Sequence, residues 1–325
     1  MTDLLFAINA TAPIVLMVAV GYVLKRFHML DGNVARVLNK LVFRVFLPAM
    51  LFLNMYKIES LAAVDFGFVW YTIAATVILF GVAVGAVILF TRENPKRGAL
   101  LQSVFRANYA LVGIPLATSL FGEEGAIAAT VLSAFIIPVF NSLAVVGLCI
   151  FSSDKKPSVK KILLGIVKNP LIQAIAVGFV ALGIRAILVK CGISFRLSDI
   201  EPVYKTLSNL SSVATPLALL VLGAQFDFAA IPDLKRHIIF GVAARNLIVP
   251  LLGLGVAYLI GAFNGAHFAT FVAVFCTPVA VSSVPMAQEM DADASLAGQL
   301  VIFSTLFSAL SIFLASYVLK LLGVF

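Results

Sequence analysis

Long apolar runs separated by brief polar interruptions set the pattern of this chain. Ten such runs are legible, over residues 5–27, 35–56, 66–90, 98–120, 126–151, 169–189, 206–225, 238–261, 266–289 and 295–321, and each is about the length a helix needs to cross a hydrocarbon core. The joining segments carry turn formers and charges, as in Glu93-Asn94-Pro95-Lys96 and Gly122-Glu123-Glu124-Gly125. Short alternating segments of the β-barrel kind are absent from the pattern. The expected fold is therefore an all-α polytopic membrane protein with ten transmembrane helices.

Composition sharpens this reading. Hydrophobic residues make up 62% of the 325 positions and charged residues 12%, and the mean hydropathy is +1.10. Soluble domains sit nearer half apolar and a quarter charged, so the surplus has to face lipid. A net charge of +8 raises nucleic acid as a partner, but the basic residues fall in short loops between apolar runs, the loop bias of a membrane protein, which outweighs that reading. One set of alternate loops holds Lys25, Arg26, Arg92, Lys96, Arg97, Lys155, Lys156, Lys160, Lys161, Lys235 and Arg236; the other holds Lys57, Lys190, Arg196 and Lys205. The richer set belongs in the cytoplasm, which puts both termini outside. The first apolar run has no basic residue before it and ends in Lys25 and Arg26, the flanks of a retained helix.

Catalytic and metal chemistry find little support. Cys149, Cys191 and Cys276 have no ligand spacing, and His28, His237 and His267 lie at or near three separate helix ends. No HExxH and no paired intramembrane acids occur, so neither an enzyme nor a cofactor or metal site is expected.

The two halves echo each other. Pro13 stands eight residues before Gly21-Tyr22-Val23, and Pro170 eight before Gly178-Phe179-Val180. Leu47-Pro48-Ala49 has a counterpart in Thr215-Pro216-Leu217, and Ile114-Pro115 in Val284-Pro285. These offsets divide the chain into repeats over 1–151 and 162–325. With five spans each, an odd number, the second repeat must run inverted through the membrane, the arrangement of many secondary transporters.

The fourth and ninth spans carry the most unusual sequence. Arg106-Ala107-Asn108-Tyr109-Ala110-Leu111-Val112-Gly113-Ile114-Pro115 places an Arg, an Asn, a Gly and a Pro within one short stretch. Pro115 cannot donate to the Leu111 carbonyl, which weakens the helix just upstream, and Pro278 and Pro285 are expected to interrupt the ninth span twice. A plain proline kink would explain either span alone. Equivalent positions in both repeats point instead to two unwound helices whose downstream N-termini face each other and attract an anion. Arg44, Arg106 and Arg245 lie inside apolar runs; Arg44 and Arg245 are near enough to the cytoplasmic ends to snorkel, while Arg106 is two residues from Asn108. All acidic residues fall in loops or near helix ends, Glu289 and Asp227 coming closest to the core, so the site has no proton relay or acidic cation cage.

These residues resemble the auxin efflux carrier family, which includes the plant PIN auxin exporters and bacterial permeases. The resemblance runs through Gly21-Tyr22-Val23-Leu24-Lys25-Arg26, Asn39-Lys40-Leu41-Val42-Phe43, Leu47-Pro48-Ala49, Asn169-Pro170 and Thr215-Pro216-Leu217-Ala218-Leu219 with Gly223. It is most specific at Asn108-Tyr109-Ala110-Leu111-Val112-Gly113-Ile114-Pro115 and at Pro278 with Val284-Pro285. It implies two inverted five-helix repeats related to the bile acid–sodium symporters, with helices 4 and 9 broken where they cross. It also implies a scaffold of helices 1, 2, 6 and 7 that dimerises, and a transport domain of helices 3–5 and 8–10 moving as an elevator. Carboxylate cargo follows: auxin in plants, malate, malonate or similar small acids in bacteria, at a bacterial inner (plasma) membrane. The chain departs from the plant exporters in its short central loop and in Leu51, where they carry a serine, and Cys276-Thr277-Pro278 lacks the acid that the bile acid symporters use for sodium.

The candidate substrate-binding set is thus Arg106, Asn108, Tyr109, Gly113, Asn141, Thr277, Pro278, Ser282 and Ser283, with helix breaks at Pro115, Pro278 and Pro285. A carrier for small organic carboxylates, embedded in the bilayer as a homodimer, is the expected function. A sodium-coupled symporter built on backbone carbonyls, or an anion channel or receptor, are the alternatives.

Overall fold

A computed structural model describes residues 2–57, 66–151 and 159–325, and side chains from residue 12 onward except at 159–162 and 165. Lys155 and Lys156 of the loop-charge comparison lie outside the described residues. The described chain is α-helical: α1 (Thr2–Arg26), α2 (Gly32–Leu41), α3 (Leu47–Tyr56), α4 (Phe66–Phe90), α5 (Asn94–Phe105), α6 (Ile114–Ile150), α7 (Val159–Lys168), α8 (Pro170–Lys190), α9 (Glu201–Gln225), α10 (Ile231–Ala243), α11 (Val249–Ile260), α12 (Gly265–Phe275), α13 (Ser283–Glu289) and α14 (Ala294–Leu321). Among the described residues, seven helical stretches are long and apolar enough to cross a membrane. Large apolar side chains point outward from them, Leu89 being 91% and Leu259 84% exposed, and a lipid solvent makes such faces stable.

Three π-turns, at Val42–Phe46, Tyr109–Gly113 and Ala244–Ile248, share one cause. Each is followed directly by an X-Pro step: Leu47-Pro48, Ile114-Pro115 and Val249-Pro250. Proline has no N–H for the carbonyl four residues back, and its ring crowds that carbonyl. The helix widens, and Leu47, Ile114 and Val249 donate five residues back, to Val42, Tyr109 and Ala244. The carbonyl orphaned by Pro250, that of Asn246, accepts a 2.7 Å hydrogen bond from Ser311 on α14. Replacing Ser311 with alanine leaves that acceptor bare at membrane depth and is expected to lower stability by about 1–3 kcal/mol. The midpoint of thermal unfolding in detergent measures this, and an unchanged midpoint would mean that the carbonyl finds another donor.

Close packing rests on glycine. A Cβ on Gly21 of α1 would strike the Leu220 carbonyl of α9, and one on Gly223 of α9 would strike the Val18 carbonyl of α1. Small residues let membrane helices approach backbone to backbone in this way. Gly178 of α8 faces α3 in the same manner: a Cβ there would lie 2.7 Å from the Met55 Cβ and 3.2 Å from the Phe52 carbonyl. Within α6 the chain reverses at Phe121 and Gly122, whose φ of 58° and ψ of −141° belong to glycine, at the turn expected there from Gly122-Glu123-Glu124-Gly125. The short α7 was not foreseen. Asn169, which follows it, caps α8 by accepting from the Leu171 N–H at 2.9 Å.

Two expected breaks differ from their prediction. Pro115 stands second in α6 behind the π-turn, and the full interruption lies farther upstream, at residues 106–108 between α5 and that turn. Pro285 interrupts nothing. It is the third residue of α13, within a first turn where helical N–H groups have no partner to lose. Pro278 alone sits inside an unwound stretch, residues 276–282. Arg245 does not snorkel either: it is 1% exposed and held by main-chain carbonyls. Arg44 is exposed, its Nε 3.8 Å from Glu289.

Candidate functional site

Where α5 ends and α12 ends, the two unwound stretches cross. The Asn108 N–H donates to the Pro278 carbonyl at 2.8 Å and the Ala280 N–H to the Arg106 carbonyl at 3.3 Å, and Ala107 and Val279 pair as an antiparallel bridge. Each stretch thereby supplies the hydrogen bonds that the other lost on leaving its helix, which makes irregular backbone tolerable at this depth.

A cavity of about 80 Å³ lies against this crossing. Arg106, Asn108, Asn141 and Ser282 line one wall, and Leu47, Met50, Leu51 and Asn54 the other. The latter four recur at the i, i+3, i+4, i+7 spacing of one helical face of α3, beside Thr215 of α9. No Asp or Glu is among the lining residues.

Arg106 organises the polar wall. Its guanidinium is buried at 2% exposure and makes four hydrogen bonds: Nη1 to Gln102 Oε1 at 2.8 Å and Met286 Sδ at 2.9 Å, Nη2 to Asn141 Oδ1 at 2.7 Å and Ser282 Oγ at 2.8 Å. All four acceptors are neutral. Its charge therefore meets no carboxylate among the described residues. Because Ser282 accepts from Arg106, its own hydroxyl proton is free to donate. Asn108 is 6% exposed, and its Nδ2 is buried without a hydrogen-bond partner. The wall thus offers one fixed positive charge and spare donors, with no built-in anion to quench them.

The sequence-predicted site residues separate into two groups. Arg106, Asn108, Tyr109, Asn141 and Ser282 line the cavity, although the Tyr109 hydroxyl is committed to the Ala129 carbonyl at 2.9 Å. Gly113, Thr277, Pro278 and Ser283 stand behind it. Gly113 lets the π-turn lie against α12, where a Cβ would come within 3.0 Å of the Ala273 carbonyl. Thr277 donates to that same carbonyl at 2.7 Å, Pro278 accepts from Asn108, and the Ser283 hydroxyl is buried without a partner. Asn54 was not singled out from sequence, and Thr215 entered through the repeat and the family resemblance, not as a site residue. A polar side chain on the Leu47–Leu51 face of an apolar span was the available signal.

Comparison with known proteins identifies the family. A family described as "Membrane transport protein" matches residues 6–316. The chain belongs to that family, the one to which the auxin efflux carriers belong. Among relatives of this membrane transport protein is an "Uncharacterized transporter" of Methanothermobacter thermautotrophicus, 26% identical over 313 residues that cover 94% of this chain and 96% of the relative. A second "Uncharacterized transporter", from Methanocaldococcus jannaschii, is 26% identical over 318 residues, 94% and 96% of the two chains. A protein of Rhizobium meliloti named "Putative malonate transporter" is 23% identical over 301 residues, 91% and 90% of the two chains. Membership in the membrane transport protein family and the apolar helices together make this chain a multi-pass membrane transporter.

Proposed function

We propose that the protein is a secondary carrier that moves small organic carboxylate anions across the membrane by alternating access. The observation that carries this reading is the cavity at the crossing, where a buried arginine without a counter-charge and the unpaired Asn108 amide face the same space and no acid does. An anion supplies what both groups lack, since a buried charge or donor left unpaired is costly. A volume of about 80 Å³ is several times the ~10–15 Å³ that one water requires, which suits an acid of a few carbons. The Rhizobium meliloti relative, named for malonate, points the same way.

The architecture in this proposal is ten spans in two inverted repeats. The fourth span is α5 with the start of α6, the fifth the rest of α6, the eighth α10 with α11, and the ninth α12 with α13. Packing of the glycines supports it: Gly21 faces the Leu220 carbonyl and Gly178 the Phe52 carbonyl, and Leu220 and Phe52 stand as far apart in sequence as Pro216 and Pro48. In this arrangement α1–α3, α8 and α9 form a scaffold through which two copies dimerise. The crossed helices slide against it as an elevator, carrying the cavity between the two sides. Both termini lie outside.

Binding measured on purified protein across mono- and dicarboxylates and their neutral amides tests the reading. Carboxylates should bind and amides should not. Asn108→Ala should weaken carboxylate binding by about tenfold while the protein still folds. Absence of carboxylate binding, or wild-type affinity in Asn108→Ala, would remove the site.

A further inference from the structure

The second buried arginine points away from the substrate cavity. Arg245, in the π-turn between α10 and α11, is 1% exposed and donates only to main-chain oxygens: Nε to Thr277 at 2.7 Å, Nη2 to Val274 at 2.7 Å and Nη1 to Val104 at 3.4 Å. Val104 belongs to the last turn of α5 and Val274 to the last turn of α12, while Thr277 lies in the unwound stretch. The final carbonyls of a helix have no intrahelical partner and carry about half a negative charge. Two such ends meet here, for a sum of about one negative charge, and one guanidinium sits between them.

Carbonyl oxygens converging from two helix ends at membrane depth are the ligand set of a cation, as in the broken helices of carriers that bind inorganic ions. No acid is needed, and none contacts Arg245 among the described residues. We infer that Arg245 is a tethered cation occupying a carbonyl-built cation site at the crossing, so that substrate binding and transport need no inorganic cation there. Two consequences follow from the charge balance. Arg245 is offset by the helix ends, which leaves the charge of Arg106 for the substrate. Removing the Arg245 side chain should open a site that guanidinium, or a small monovalent ion such as sodium, can fill.

The inference rests on the carrier reading for its transport consequence but is tested first without any substrate. Arg245→Ala, Arg245→Lys and Arg245→Met are purified, and thermal unfolding is followed in choline chloride with and without millimolar guanidinium or sodium, far below denaturing concentrations. The alanine variant should unfold at a lower temperature in choline and recover part of the loss with guanidinium or sodium, as a ligand that binds only the folded state requires. The wild type should not respond. An alanine variant that responds no more than the wild type overturns the inference. If that variant does not fold, the lysine and methionine variants decide: lysine keeps the charge and should be the more stable, and equal losses, or failure of both to fold, overturn it. In proteoliposomes, wild-type carboxylate uptake should be equal in sodium and choline. Uptake by the alanine variant in choline should fall by about tenfold and rise with the cation that stabilised it. Strict sodium dependence of the wild type counts against the inference. Cation-dependent stability in Arg245→Ala without carboxylate uptake by the wild type would leave the cation site standing and remove the carrier reading instead.

Discussion

Replacing Arg106 with glutamine is expected to weaken binding of a small dicarboxylate by about 100-fold, equivalent to about 3 kcal/mol and the upper end for a contact that carries full charge. The reason lies in the balance of the cavity wall. Arg106 is buried, its four acceptors are neutral, and the cavity holds no acid, so the substrate is the only anion available to it. Glutamine retains an amide that can still meet Gln102 or Asn141, so folding should survive while the charge is lost. A monocarboxylate has one charge fewer to place and should lose less than a dicarboxylate does. Calorimetric titration of both acids against both proteins reads the difference directly. Equal affinities in wild type and variant would make Arg106 a structural strut that braces α5 against Asn141 and Ser282.

The second large effect falls on folding. Gly223→Ala should sharply reduce the yield and unfolding temperature of the protein, whereas Gly85→Ala should leave both unchanged or slightly raised. The new Cβ at position 223 would strike the Val18 carbonyl and lie 2.8 Å from the Tyr22 nitrogen, and the reciprocal contact at Gly21 prevents α1 from rolling aside. Overpacking against movable side chains costs about 1–3 kcal/mol; two main chains in contact can yield only by separating, so the loss lies at or above the top of that range. Gly85 of α4 faces open space, and there alanine brings only its better helix propensity, about 0.5–1 kcal/mol. Circular dichroism melts of the two variants give the comparison, and equal behaviour would show that the α1–α9 seam is looser than its geometry.

Much of this was legible in sequence because the causes are local. The third apolar run, 66–90, coincides with α4 (Phe66–Phe90), since lipid exposure selects whole helices by length and composition alone. Proline marked the weak turns, and the disturbance ahead of Pro115 is there as the Tyr109–Gly113 π-turn. What escaped was non-local. The full break at 106–108 is stabilised by Pro278 and Ala280, about 170 residues away, and no feature of its own sequence specifies the place. Arg245 looked like a snorkelling side chain because its partners are carbonyl oxygens, which every residue has and no sequence pattern reveals. Asn54 was passed over for a related reason: one asparagine in an apolar run acquires meaning only when its helical face is seen to meet a cavity.

The crossing also sets an order of events during biosynthesis. When the ribosome has delivered the first break to the membrane, the Asn108 N–H and the Arg106 carbonyl have no partner, because Pro278 and Ala280 are not yet made. At about 5–20 residues per second, the intervening 170 or so residues take on the order of 10–30 seconds. Throughout that interval the nascent chain must hold unpaired backbone groups inside the bilayer, or keep the segment out of it. Insertion of the first half is thus incomplete until the second half arrives.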